Sequence, residues 1–564
     1  MTALPSAVES APDLRGSQAH AGTNDALKSA EGNKTRARLS RFAVAWCAAL
    51  FFAASVPYLI ATFAPPAGHD GFGTVMFVND FAQYEAAIAE GARSSSWLVH
   101  DHFTPEPHEP ALMFPLYVAI GKLAALLDLP SLSVYRVAEA LGRGVLLFSI
   151  AAVAAIFARE QRLALVFGTL ASGLGLWAVV AQTVVGVEHP YGGNGSYELN
   201  PYALLFAPPH VTLGMALTLA IITLLVQAET HWSRARTTLL GLATLGLCLL
   251  HPFNVVTLAM VSAALLASNW FEPMLRREHI ERWPRRTALA ALTLGLAAAP
   301  LVLYNGATFA ASDFWARAYG EQNVLPSPAP HELIVDLGVF LILGIPAIVG
   351  LWRRGGDNRR LAIVLIVMLG AMYAPVPFQR RLAFGLAPLL AIAVGAALAD
   401  WFHFQGPALR QQRLGRAGVF AAALGSSIFI YAGFVASTVG NAPIPVYRAS
   451  SDLREARDWL ATNTTTDDVS LASWDVANYL ASALPGRTAA GHPVATLRAQ
   501  ERRNQAGLLF TGPSEQEAAI TRERGTLLIS TGSAEPIFVE GARPVFQRGA
   551  VTVARLTPAG GPGG

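Results

Sequence analysis

Eleven stretches of this chain are strongly apolar over lengths no single core strand needs: residues 41–64, 137–157, 163–185, 209–228, 237–252, 254–270, 287–305, 333–352, 361–376, 382–401 and 417–438. Apolar runs approaching about 17–25 residues are read as bilayer-spanning helices, because a helix rising about 1.5 Å per residue needs that many to cross the hydrocarbon layer. Only 14% of the residues are Asp, Glu, Lys or Arg, against about a quarter in an average soluble domain. A purely soluble protein is thereby excluded. The formal charge of +3 is spread over short loops and gathers into no basic stripe, so a nucleic-acid partner is not expected. Cys47 and Cys248 both sit inside apolar runs, which leaves neither a disulfide framework nor a cysteine-based metal site.

Loop arginines orient the spans. With eleven spans, one set of alternate loops carries Arg159 and Arg162; Arg234 and Arg236; Arg276, Arg277, Arg282, Arg285 and Arg286; Arg353, Arg354, Arg359 and Arg360; and Arg410, Arg413 and Arg416. The alternate loops 186–208, 253–254, 306–332 and 377–381 carry only Arg317, Arg380 and Arg381. The positive-inside rule makes the first set cytoplasmic. The apolar stretch Leu112–Leu127, with Pro115 and Lys122 inside it, then lies at or re-enters the outer surface within a long first external loop, residues 65–136. The expected architecture is a polytopic α-helical membrane protein. It comprises a disordered cytoplasmic tail (1–40), a transmembrane domain (41–440), a small external α/β domain (441–556) and a disordered Pro/Gly tail (557–564).

Ionisable groups within a bilayer are costly, so their placement marks sites. The middles of the spans read as almost free of them, and no broken helix or internal repeat is evident. Polar residues collect instead at the external ends: Asp80 and Glu85, the stretch Asp101–Glu109, Glu188-His189, Glu198, His210, His251 and Arg380-Arg381. None of these acids or histidines was used to draw the topology. Asp80 opens an amphipathic helix running to Glu90, where an N-cap aspartate is the simple structural account. Asp101–Glu109 has acids and histidines at short spacing, as a metal site would, but its three prolines also describe a rigid extended loop. His210 and His251 border prolines at helix ends, and Arg380-Arg381 could hold a lipid phosphate or merely anchor headgroups. Gly486-Arg487, Gly491-His492-Pro493 and Thr496 read as turns between strand and helix.

These positions together resemble the GT-C type glycosyltransferases, polytopic enzymes that take sugars from polyprenyl-phosphate carriers outside the cytoplasmic membrane. The likeness rests on Asn79-Asp80 with Gln83-Tyr84 soon after the first span, Asp101–His108, Ser172-Gly173-Leu174-Gly175, Glu198 with Phe206, Pro209-His210, His251-Pro252 and Phe378–Arg381. In the external part it rests on Tyr479-Leu480, Gly486-Arg487, Gly491-His492-Pro493 and Thr496, all similar to an uncharacterised bacterial subgroup. The resemblance implies a multi-pass protein of the bacterial cytoplasmic membrane, with its N-terminus inside and its C-terminal domain outside. It implies transfer from a polyprenyl-phosphate-linked sugar to a glycan, lipid or protein acceptor with inversion. Asp80 is the expected catalytic base. Glu106, His108, Glu198, His210, His251, Arg380 and Arg381 are the expected substrate-binding residues, with no cofactor and no required metal. Asn79 stands where the family often has a second acid, a place that Glu85, Asp101 or Glu106 could fill. Two other classes fit many spans and lipid-phosphate contacts: a lipid or lipid-linked-sugar transporter, and a non-catalytic envelope-assembly protein with the same fold.

Overall fold

The computed structural model describes residues 39–65, 67–71, 74–185, 196–275, 285–404, 409–439, 448–532 and 534–556. The tail up to residue 38, Glu188-His189, Arg276, Arg277, Arg282 and the tail from 557 lie outside the described residues. Helices occupy each of the eleven apolar runs: α1 (Arg41–Phe63), and, beyond the loop helices α2 (Val78–Arg93) and α3 (Pro115–Leu127), α4 (Ser131–Phe157), α5 (Gln161–Leu170) with α6 (Gly175–Val185), α7 (Pro209–Val226), α8 (Arg234–Leu250), α9 (Asn254–Leu275), α10 (Arg285–Ala311), α11 (Pro330–Leu337) with α12 (Val339–Arg354), α13 (Gly356–Ala371), α14 (Leu386–Phe404) and α15 (Leu409–Val439). Starts are set by caps: the Ser40 and Ser233 hydroxyls accept the N–H groups of Ala43 and Arg236, and Pro209 occupies the first turn of α7, where its missing N–H costs nothing.

Among the described residues, six helices are long and apolar enough to cross a membrane, or up to eight if each bent pair is one span. The expected count of eleven is therefore not met by length and composition. Helices α8 and α13, of 17 and 16 residues, are shorter than a full span, and of α9 the apolar part among the described side chains is Asn254–Asn269. Phe52, Leu296, Leu303, Ile345 and Ile428 are among the large apolar side chains left exposed on the outside of the bundle. A contiguous apolar exterior of this kind is stable against lipid and not against water.

The expectation of unbroken spans with charge-free middles is overturned. The pair α5 and α6 bends by 56°, and α11 and α12 by 91°. The two breaks meet. Gly173 has φ +65, and a Cβ there would lie 2.3 Å from the Asp336 carbonyl oxygen. The backbone groups freed by the breaks are satisfied locally, with Leu174 N–H donating to Val335 O at 2.7 Å and the Ser426 hydroxyl donating to Gly173 O at 3.0 Å. That is the condition under which irregular backbone survives at membrane depth. Within α4, Glu139 and Arg143 are buried. Glu139 accepts from Arg136 at 2.8 Å, while Arg143 donates to Leu205 O at 2.8 Å and Ser55 Oγ at 2.9 Å. Three charges, Arg136, Glu139 and Arg143, diluted in a 27-residue apolar helix barely move its mean hydropathy, which is why the pattern hid them.

Leu112–Leu127 becomes α3, a 13-residue helix packed on α2. The crossing is close enough that a Cβ on Gly121 would fall 2.0 Å from Ile88 O and one on Gly91 2.5 Å from Val118 O. Beyond the bundle, α16 (Ser451–Asn463), α17 (Trp474–Ala481), α18 (Ala499–Leu508) and α19 (Pro513–Glu523) surround a five-stranded sheet. With β1 (His69–Gly71) pairing antiparallel to β2 (Arg448–Ser450), the sheet is formed by β3 (Val469–Leu471), β4 (Arg487–Thr488), β5 (Leu527–Ser530), β6 (Arg543–Arg548) and β7 (Val551–Arg555) in the order β4-β3-β5-β7-β6. The β3 strand is parallel to β4 and β5, and β7 is antiparallel to β5 and β6. Every residue of β3 and β5 is buried, as strands covered on both faces must be.

Candidate active site

One cavity of about 870 Å³ lies where the first loop, the ends of several bundle helices and the C-terminal domain meet. Asp80, His210, His251, Arg380 and Arg381 all line it. Asp80 is in the first turn of α2, yet it does not cap that helix. The N-cap is Phe77, in the left-handed region with φ 56 and no side-chain cap bond. The Asp80 carboxylate, 35% exposed, instead has its Oδ1 3.1 Å from Nε2 of His492.

The arginines enter from a short 3₁₀ turn, Gln379–Ala383, that precedes α14. Arg380 N–H donates to Leu325 O at 3.1 Å. Its Nε lies 3.0 Å from Oε2 of Glu198, which is completely buried. Arg381 donates to Asn323 Oδ1 at 3.1 Å and lies over the Phe253 ring at 4.5 Å. Glu198 is thus not in the cavity wall but behind it, as the counter-charge of Arg380. His210 Nδ1 pairs with the Tyr117 hydroxyl at 2.6 Å, and Tyr117 stacks on Tyr84 at 4.3 Å. His251, where the α8–α9 hairpin turns, lies flat on Phe384 at 4.5 Å. Among the described residues its buried Nδ1 has no hydrogen-bond partner.

Glu106 and His108 do not belong to this group. Glu106 accepts from Arg502 at 2.6 Å, joining the first loop to α18. His108 stacks on Phe314 at 4.1 Å, and its Nε2 accepts the Asp101 N–H at 2.8 Å. Burial pushes its imidazole down to about 4, so it is a neutral wedge inside the loop. An acid and a histidine two residues apart look the same in sequence whether they serve a ligand or a joint. Among the described residues no group of three or more His, Cys, Asp or Glu is placed to hold a metal ion.

Sequence reasoning missed His492, which it took for part of a turn 412 residues from Asp80. It also missed the wall residues Tyr84, Tyr319 and Asn323. The Tyr319 hydroxyl accepts from Gln83 Nε2 at 2.6 Å and donates to Asp101 Oδ2 at 2.9 Å. Burial pushes the Asp101 carboxyl up to about 6, against hydrogen bonds from Phe103 N–H and Tyr319. The segments read as turns are in fact docking contacts. Gly486 O faces His102 Nδ1 at 2.8 Å, Arg487 donates to Pro105 O at 3.1 Å and Thr496 donates to Phe103 O at 2.8 Å. All three dock the C-terminal domain on the first loop.

One flank of the cavity is apolar: Leu249, Val256, Met260 and Val302, from α8, α9 and α10, line it and are partly exposed. A ligand with one charged end and one long apolar end can therefore place its charge against Arg380 and Arg381 and lay its chain along that flank.

No family model matches the sequence, and no curated protein matches it. Among solved structures, the chain is similar to the oligosaccharyltransferase AglB of Archaeoglobus fulgidus in complex with an inhibitory peptide and a dolichol-phosphate. That likeness has a TM-score of 0.46 and 13% identity over 87% of this chain and 70% of that one. It is similar to the A. fulgidus oligosaccharyltransferase tethered with an acceptor peptide, at 0.48 and 13% over 86% and 69%. It is also similar to the mycobacterial arabinofuranosyltransferase AftD, at 0.43 and 18% over 92% and 40%. Overlaps of this size carry no argument about activity, and the functional reading rests on the cavity.

Proposed function

We propose that the chain is an integral membrane glycosyltransferase of the GT-C type that moves a sugar from a polyprenyl-phosphate carrier to an acceptor hydroxyl, on the external face of the cytoplasmic membrane. One observation carries this reading: a carboxylate, an arginine pair and a partly exposed apolar flank share one cavity of about 870 Å³. A lipid-phosphate sugar needs all three. The phosphate sits against Arg380 and Arg381, the polyprenyl chain leaves between α8, α9 and α10, and the anomeric carbon faces Asp80. The acceptor oxygen attacks that carbon while its proton passes to the Asp80 carboxylate. The glycosidic C–O bond forms as the bond to the phosphate oxygen breaks, with inversion. The departing phosphate keeps the electron pair, and fixed guanidinium groups stabilise the charge that develops there. His210 and His251 supply further polar atoms on the wall, and Glu198 holds Arg380 in place from behind. Glu106 and His108 play no part in substrate binding in this reading.

A transporter draws support from the two bent helix pairs, since broken helices build transport sites. Neither break lines the cavity, and a backbone bond from Leu174 N–H to Val335 O joins them. The full chain in vesicles, given a polyprenyl-phosphate sugar and a panel of hydroxyl acceptors, is expected to release free polyprenyl phosphate as the glycoside forms. Movement of labelled lipid between leaflets with no release of free polyprenyl phosphate would establish transport instead. Retention of lipid-linked sugar with neither outcome would establish a non-catalytic assembly protein.

A further inference from the structure

We infer that His492 is the positioning residue for Asp80, acting through a single ring tautomer that the C-terminal domain fixes. The ring is 1% exposed. Its Nδ1 is approached by two backbone N–H groups, those of Val494 at 3.2 Å and Ala495 at 3.1 Å. Backbone amides only donate, so Nδ1 must offer its lone pair. The one ring hydrogen is then on Nε2, where it donates to Asp80 Oδ1 at 3.1 Å. A second proton on Nδ1 would point at two donors, so the ring stays neutral.

The consequence for Asp80 is specific. A neutral donor orients the carboxylate through one oxygen without placing a cation against it, and leaves the second oxygen for the acceptor hydroxyl. The other groups that face Asp80 are Tyr84 on its own helix, His210 at the start of α7 and Tyr319, with Arg381 beyond. The turn bearing His492 is built to hold the ring still. His492 N–H donates to Thr496 Oγ1 at 3.0 Å, and that hydroxyl donates to Phe103 O at 2.8 Å. Asn478 Nδ2 donates both to Gly491 O at 2.8 Å and to Asn79 O at 3.3 Å. One amide side chain thus ties together the residues just before His492 and just before Asp80.

The role in transfer rests on the proposed function, whereas the tautomer does not, and the two are tested apart. With ¹⁵N-histidine in the full chain, the spectrum is expected to contain a neutral ring, protonated at Nε2 and unprotonated at Nδ1, whose resonances vanish in His492→Gln. An imidazolium or an Nδ1–H form at His492 near neutral pH would overturn the inference whatever the enzyme does. In kinetics, His492→Ala is expected to lower kcat by about 10- to 100-fold, the loss of one hydrogen bond to a charged group. KM for the polyprenyl-phosphate sugar should stay within about two-fold, because that substrate's phosphate is held elsewhere. His492→Gln, which restores an N–H donor near Nε2, is expected to recover most of the loss. Equal activities in the wild type, His492→Ala and His492→Gln would overturn the positioning role, as would a defect in both variants confined to KM or to unfolding temperature. Unchanged transfer in Asp80→Asn would instead sink the proposed function and leave the tautomer result standing.

Discussion

The two ends of the helical bundle use arginine in opposite ways. Helix α7 connects them, running from Pro209 beside His210 to Val226, a distance of about 27 Å at 1.5 Å per residue. At its far end Arg360 donates to Val226 O at 3.2 Å, Arg286 to Glu229 O at 2.8 Å and Arg236 to Gln227 Oε1 at 3.0 Å. Arg354 pairs there with Asp400, both part-exposed. These cations close helix ends and sit where water can reach them. At the cavity end Arg380 is paired with a carboxylate that has no exposed surface at all. Charge at the loop end stays within reach of water, and charge at the cavity end is paired with a buried carboxylate. A buried partner holds a cation in one place, and a fixed cation is what a leaving phosphate requires.

Four measurements probe this contrast, the first being the most severe. Replacing Asp80 with Asn is expected to reduce transfer by about 10²–10⁴-fold, the usual contribution of a general base, while polyprenyl-phosphate binding persists. Arg380→Ala leaves Glu198 buried and unpaired, for which a cost of about 3–5 kcal/mol is expected, read as a lowered unfolding temperature in detergent. Adding polyprenyl phosphate should then stabilise this variant less than the wild type. Asp101 gives a pH signature. Its carboxyl is raised from 3.8 to about 6, so the folded chain binds this proton more tightly than the unfolded one. The contribution is most favourable below pH 3.8 and is lost as pH rises through 6, by an amount on the order of 2–3 kcal/mol. Asp101→Asn should flatten stability across that window, and an unchanged slope would show that burial of this acid has been overstated. Arg354→Ala, at the loop end, should change stability by only about 0–1 kcal/mol. A cost as large as that of Arg380→Ala would erase the distinction between the two ends.

What could be read from the chain follows from the same physics. Apolar runs are local, so the helix positions were legible. Whether a helix crosses depends on bends and ends, and Gly173 and Gly338 bend two of them where the hydropathy profile runs on smoothly. The grouping of Asp80, His210, His251 and Arg380-Arg381 was legible because loop arginines place alternate loops on one side, and one side of a narrow bundle is already a small volume. His492 was not, because nothing local distinguishes a turn histidine from one that reaches a distant acid. Glu106 and His108 lie outside the cavity wall, their spacing describing a joint as well as it describes a site. Glu198 stands out in the sequence as a polar residue, but its pairing with Arg380 does not, since burial decides whether a carboxylate meets a ligand or an arginine.

The separation of Asp80 from His492 by 412 residues also has a meaning in time. At about 5–20 residues per second, ribosomes need roughly 20–80 s to make the chain between them. Throughout that interval the first loop already carries its acid, while the histidine that orients it has not been synthesised. On the proposed reading a nascent chain holds an unassembled base, and the Asp80–His492 contact forms only when the C-terminal domain folds back onto the first loop.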